Sequence, residues 1–332
     1  MLRTLISVIL FLVFSSFICL FLELSQYAKK PASASAEKKV VIIQTGQGLN
    51  AAIEQLSKKG IINNRLKFKI FATLKGYDKN IQAGEYLFSS SMTPANILDS
   101  LVHGKVNLHK LTVIEGFNLK QVADVVAKAG FASRTDFFAT ATDSSFVNEK
   151  GIDAETFEGY LFPETYYFPK VITPKKIVST MVDRFRSVFS AKWKNRAKEL
   201  GLSIHQIVTL ASIIEKETGA AFERPIISSV FHNRLKKGMR LEADPTVIYG
   251  LKNFNGNLTR KHLTTWSPYN TYKIKGLPIG PIACPGASAI EAALYPADTD
   301  FIFFVSKRDT THQFSTNLKD HNKAIQKYQL RR

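Results

Sequence analysis

Cysteine is nearly missing from this 332-residue chain, which has only Cys19 and Cys284. Cys19 lies in an apolar N-terminal run, so neither a disulfide nor a cysteine-based metal site is expected. Histidines such as His232, His262, His312 and His321 stand at no metal-ligand spacing, and no metal is expected. There is no nucleophile elbow, no Walker loop and no dinucleotide fingerprint, and no cofactor is expected. Repeats of solenoid period and long low-complexity tracts are absent too. Acidic residues are scarce, 27 against 45 Lys and Arg, for a formal net charge of +18. Such a balance implies an anionic partner: nucleic acid, anionic lipid or an acidic wall polymer. The basic stretch "NRLKKGMRLEADPT" lacks the interleaved aromatics of a single-strand nucleic-acid surface, so nucleic acid is not expected.

A long hydrophobic run is present. "LISVILFLVFSSFICLFL", Leu5 to Leu22, holds 18 residues and no charge. About 20 apolar residues cross a bilayer as a helix, and a signal peptide's apolar region is shorter. The run therefore reads as a transmembrane anchor over 5–24 behind a short tip, 1–4. Small residues around Ala34 and Ala36 are the competing signal for cleavage. Arg3 lies on one side of the run and Lys29, Lys30, Lys38 and Lys39 on the other. Charge alone mildly favours the lysine side as cytoplasmic. Residues 25–38, polar and small, read as a tether.

Downstream, strand and helix signals alternate in an α+β pattern. Residues 39–106 read as a compact unit. A strand stops at Gly46, helices end near Gly60 and Gly76, and "AGEYLFSSSMT" gives another strand. A last helix is capped by Thr93, with Pro94 at its first position and Gly104 as its stop. Clustered acids and histidines are absent there, so the unit reads as a binding module. Residues 107–332 read as a larger α+β unit. It holds the aromatic segment "FEGYLFPETYYFP", one long helix from Pro174 to Leu200, and a stiff loop, "GLPIGPIACPG". A paired strand couple and a helix close the chain.

The informative stretch is "LASIIEKETG", on a helix capped by Ser203. At 100° per residue, Ile207, Val208, Leu210, Ala211, Ile213 and Ile214 form one apolar stripe. Glu215 and Glu217 fall on opposite borders of that stripe, about 80° to either side, with Lys216 pointing outward. They are not a facing pair. A border carboxylate can be partly desolvated and still reach a cleft, which raises its pKa as a general acid requires. A solvated border residue or a salt-bridge partner has the same spacing, and spacing does not say which glutamate is special. Asp244 reads as the cap of "DPTVIYG", and Glu223 as a first-turn acid favoured by the helix dipole.

"LASIIEKETG", "VFHNRLKKGMRLEADPTVIYG", "YNTYKIKGLPIGPIACPG" and "FSTNLKDHN" together resemble the signature blocks of the YceG-like (MltG) endolytic murein transglycosylases, in order and over nearly the whole chain. The resemblance implies a single-pass anchor in the cytoplasmic (inner) membrane, with 1–4 as a cytoplasmic tip and the enzyme on the outer, periplasmic side. It implies a LysM-like glycan-binding subdomain at 39–106 and a catalytic domain with a lysozyme-like helical core at 107–332. It makes Glu217 the catalytic acid, leaving Glu215 a structural role. Asn233, Asp244, Thr246, Tyr249, Asn270, Tyr272, Pro278 and Asn317 fall in the other blocks as expected cleft residues. The implied substrate is peptidoglycan, cut at MurNAc–GlcNAc β-1,4 bonds within nascent strands to leave 1,6-anhydro ends. Wall-synthesis enzymes are implied partners, though no motif carries them. Two other readings stay open: a hydrolytic muramidase pairing Glu217 with Asp244 or Glu223, and a non-enzymatic wall-binding scaffold.

Overall fold

The computed structural model describes residues 2–330; Met1 of the expected tip lies outside the described residues. The chain divides into two compact units, residues 1–109 with 167–171, and residues 110–166 with 172–332.

In the first unit, α1 runs Leu2–Lys29, followed by β1 Lys38–Ile43, α2 Leu49–Lys58, α3 Arg65–Leu74, β2 Gly84–Ser89 and α4 Pro94–Val102. The side chains from Leu5 to Leu22 on α1 face outward almost throughout, and its most apolar window has a mean hydropathy of 2.9. The helix continues past the expected anchor. Leu24, Tyr27 and Ala28 are buried, and the Tyr27 hydroxyl donates to the Asn64 carbonyl. Beyond it, the Ser33 amide donates to the Ser90 carbonyl. Residues 25–38, read as a free tether, are thus largely held by the unit, because apolar positions at helical spacing continue to Ala28. Strands β1 and β2 pair antiparallel, with Val41 opposite Tyr86. Alternation along β1 buries Val41 and Ile43 and leaves Val40 and Ile42 outside. Leu56, Phe68, Ile97 and Leu101 complete the core. Thr93 caps α4 by accepting from the Asn96 amide, with Pro94 in the first turn.

The chain then forms β3 Leu108–Thr112, α5 Leu119–Lys128, α6 Arg134–Ala141, α7 Ser144–Glu149 and β4 Thr165–Pro169. It continues through α8 Pro174–Val188, α9 Ala191–Glu199, α10 Ile204–Glu217, α11 Arg224–Lys236, α12 Asp244–Gly250 and α13 Arg260–Thr264. The last elements are α14 Ala287–Leu294, β5 Phe303–Ser306, β6 His312–Ser315 and α15 Leu318–Ile325. Strand β3 pairs with β4, and β5 with β6. The aromatic segment therefore hides a strand that its prolines obscured.

The helix expected over 174–200 is two. Phe189 is buried and packs between Phe185 and Trp193. Ser190 then adopts extended geometry and caps α9 through the Trp193 amide. One continuous helix would carry Phe189 away from that aromatic pocket.

Helix α10 is the centre of the second unit, and every residue from Ile207 to Ile214 is buried. The apolar stripe lies against α11 and α14. Thr209 and Ser212 are covered as well, so the helix is more central than its amphipathic pattern suggests. Their hydroxyls are satisfied locally, by the His205 and Thr209 carbonyls. The Ser212 hydroxyl also accepts the Ile282 amide, at 3.0 Å. That bond fastens the 276–286 loop to the helix, and Cys284 exchanges backbone bonds with Phe117 and Gly116 on the other side.

Candidate active site

Glu217 is the last residue of α10. Part of its surface reaches solvent, yet its carboxyl is packed among protein atoms. Burial is the main cause that lifts its pKa from 4.5 to about 8; the Asp244 carboxylate pushes the same way and the Arg234 guanidinium opposes them. The negative end of the helix dipole adds to the rise. The Glu217 carboxyl is thus neutral at physiological pH and close to a second acid, which suits a proton donor.

Asp244 does not cap its helix. It is the first residue of α12, behind Ala243, which offers no side-chain cap. Its carboxylate instead accepts the Tyr272 hydroxyl at 2.7 Å. Pro245 in the first turn has no amide, which leaves the uncapped helix one donor fewer to satisfy. Tyr272 also feels Glu217 and Glu242 electrostatically, and burial together with these acids holds its phenol neutral. Glu217, Asp244 and Tyr272 are therefore brought together.

Arg234 completes this group and was not singled out from the sequence. It is 7 % exposed. Its guanidinium donates to the carbonyls of Ile302 (2.7 Å) and Leu241 (2.8 Å) and to the Glu242 carboxylate (3.3 Å). A signal existed: Ile227, Val230 and Arg234 follow core spacing on α11, so the arginine sits where an apolar residue was due. Glu242, its partner, holds a left-handed backbone at φ 52°, uncommon for a residue with a side chain. Its amide bond to the Thr271 carbonyl, together with Arg234, holds the turn into α12.

The other expected cleft residues serve the framework. Asn233 donates to the Thr299 and Phe301 carbonyls. Thr246 is fully buried and bonds the Ala243 carbonyl and the Thr271 hydroxyl. Asn270, 1 % exposed, gathers the carbonyls of His262, Leu263 and Thr265. Pro278 is buried in its loop. Asn317 caps α15 through the Asp320 amide. The amides of Asn233 and Asn270 are thus committed to backbone carbonyls.

Tyr249 belongs to a second acidic centre. Its hydroxyl donates to Glu158 at 2.8 Å, and the Leu119 amide at the start of α5 does the same. Glu158 is 4 % exposed, and burial outweighs these bonds to push its pKa up to about 7. It too escaped notice, although a lone acid inside the apolar run "FEGYLF" was the sign.

The remaining acids are engaged. Glu215 pairs with Arg224 at 3.0 Å and accepts the Gly286 amide at 2.9 Å. Glu223, buried, accepts both the backbone amide and the ring of His312. Of the two partners considered for Glu217, Asp244 is the one whose charge acts on it.

The residues 41–327 match the model of the YceG-like family. A Bacillus subtilis (strain 168) protein named endolytic murein transglycosylase is 35% identical over 302 residues, spanning 86% of this chain and 83% of the relative. A protein of the same name from Streptococcus pneumoniae D39 is 27% identical over 331 residues, covering 89% of this chain but 59% of the longer relative. The 2.6 Å crystal structure of a yceG-like protein from Listeria monocytogenes superposes with a TM-score of 0.61 at 35% identity, over 87% of this chain and 99% of that one. This chain belongs to the YceG-like family.

Proposed function

We propose that this protein is a membrane-anchored endolytic murein transglycosylase, with Glu217 as its single acid–base group. The observation that carries the reading is a carboxyl neutral near physiological pH, at the rim of the central helix and beside Asp244. Neutral Glu217 protonates the bridging oxygen of the MurNAc–GlcNAc β-1,4 bond, and that bond breaks. The resulting glutamate takes the proton from the C6 hydroxyl of the same MurNAc, whose oxygen attacks C1. The product is a 1,6-anhydro end; no water enters, and Glu217 is neutral again. Attack within one sugar makes orientation a large part of the rate. The Asp244 carboxylate favours the positive charge that develops at the sugar ring. It also makes ionised Glu217 a stronger base for the second step.

Asp244 beside Glu217 also supports a second reading, hydrolysis with Asp244 as base or nucleophile. Cleavage in water labelled with heavy oxygen separates the two. A transglycosylase leaves unlabelled anhydro ends, whereas a hydrolase leaves one labelled oxygen at each new reducing end.

The rest of the reading follows from the substrate. Helix α1 anchors the chain in the cytoplasmic membrane, with both units on the outer side where murein lies. The first unit serves as a LysM-like glycan holder. Cutting nascent strands limits their length and couples the enzyme to wall synthesis.

A further inference from the structure

A cavity of about 650 Å³ lies in the second unit, beside the end of α10. Lys120 of α5, Lys216 of α10 and Lys252 after α12 converge on it, with buried Glu158 and Tyr249 as floor. Lys216 donates to the Gly116 carbonyl. Lysine ion pairs among the described residues involve Lys58, Lys67, Lys105 and Lys323, so Lys120 and Lys252 have none. Between these cations the walls are apolar, with Phe138, Ile248 and Phe254. Glu158 is held by hydrogen bonds from Tyr249 and Leu119, and Lys120 acts on its charge without forming an ion pair with it.

The cavity shares two helices with the acid. Lys216 precedes Glu217 on α10, and Pro245, Ile248 and Tyr249 follow Asp244 on α12. The cavity lining and the two acids therefore lie within about two turns of one another along the same two helices. In murein, the peptide stem hangs from C3 of the MurNAc ring, two ring carbons from the C1 that is attacked. A stem offers short apolar side chains and free carboxylates, which match apolar walls and unpaired lysines. A stem-free glycan keeps only the lactyl carboxylate at C3, without the stem's side chains and distal carboxylates.

We propose that this cavity is a subsite for the carboxylate-bearing peptide stem of the strand being cut, with Lys120 and Lys252 pairing its carboxylates. The proposal rests on the murein-cleaving reading above. It makes the enzyme selective for strands that still carry stems.

The test uses the full-length chain in lipid nanodiscs with Glu217→Gln, so that ligands stay intact. Affinity is measured for MurNAc–GlcNAc oligosaccharides of equal length, with stems and with stems removed. The readout is the ratio of the two affinities. Two solvent-reachable ion pairs give an expected preference of roughly three- to thirtyfold for the stem-bearing ligand at low salt. Lys120→Gln with Lys252→Gln should bring the ratio near one, and reversal to Glu at both positions should invert it. Thermal melts check that the variants are folded. A ratio near one before the lysines are changed would overturn the proposal, as would a ratio that ignores both substitutions. Displacement by poly(glycerol phosphate) at lower concentration than by free stem peptide would reassign the cavity and also overturn it. A parallel cleavage assay with Glu217 restored keeps the two readings apart. No cleavage with an intact ratio rejects the activity alone, and cleavage with a ratio of one rejects the subsite alone.

Discussion

Glu217 carries one charge question with two measurable consequences. A proton donor with a pKa of about 8 should hold its rate below that pH and lose it tenfold per unit above, so kcat/KM against pH reports the group directly. The same rise acts on stability. A folded-state pKa above the unfolded value of 4.5 means the folded protein holds the proton more tightly. Stability is then fully present below pH 4.5 and is lost as pH rises towards 8. Glu217→Gln removes that loss. Urea unfolding at pH 7 should show the variant more stable, by on the order of 2–3 kcal/mol, with the gap closing as pH falls to 4.5. Spacing placed Glu217 on the border of a buried helix, but it placed Glu215 there as well. What separates them is tertiary: Glu215 meets Arg224 and the Gly286 amide, whereas Glu217 meets Asp244. Those neighbours come from α11, α12 and a distant loop, and no local pattern shows them. The resemblance chose Glu217 where periodicity did not.

At the scale of elements, the 276–286 loop is held by close approach and by borrowed hydrogen bonds. A Cβ on Gly159 would lie 2.5 Å from Pro281 Cβ and 2.9 Å from Val208 of α10, at φ +83°. Gly159→Ala is therefore strained and crowded at once. It should cost on the order of 2–4 kcal/mol in chemical denaturation. Asn270 anchors the turn after α13. Asn270→Ala should cost about 2 kcal/mol by stranding buried carbonyls. Asn270→Asp should cost more, because a carboxylate would face three carbonyl oxygens; comparing melting temperatures of the two variants checks the order. Two helix starts were legible, since Thr93 and Ser203 cap as their residue types suggest. The break at Phe189 and the strand Thr165–Pro169 were not, because both are set by what packs against them. Asn270 and Thr246 stood out as block members, yet the burial that gives them framework roles depends on the Ala243–Thr271 contact, far apart in sequence.

Across the whole molecule, the net charge of +18 makes binding to the wall polymer salt-sensitive. Retention on purified sacculi should fall steeply between 50 mM and 500 mM salt as the Debye length shrinks from about 14 to 4 Å. The anchor has two parts with different duties. Its outward apolar stretch ends near Leu22, whereas Leu24, Tyr27 and Ala28 are buried in the first unit. Deleting residues 1–22 should release the chain from membranes with little change in melting temperature. Deleting 1–30 should also lower it, because the Tyr27–Asn64 contact goes too. The central claim is that one carboxylic acid cuts murein without water. Its most direct test is mass spectrometry of purified glycan strands treated with the wild-type protein beside Glu217→Gln. The account expects 1,6-anhydro ends from the wild type and, from the folded variant, a loss of at least about a hundredfold. Reducing ends that have gained water, or anhydro ends formed equally well by the variant, would contradict it.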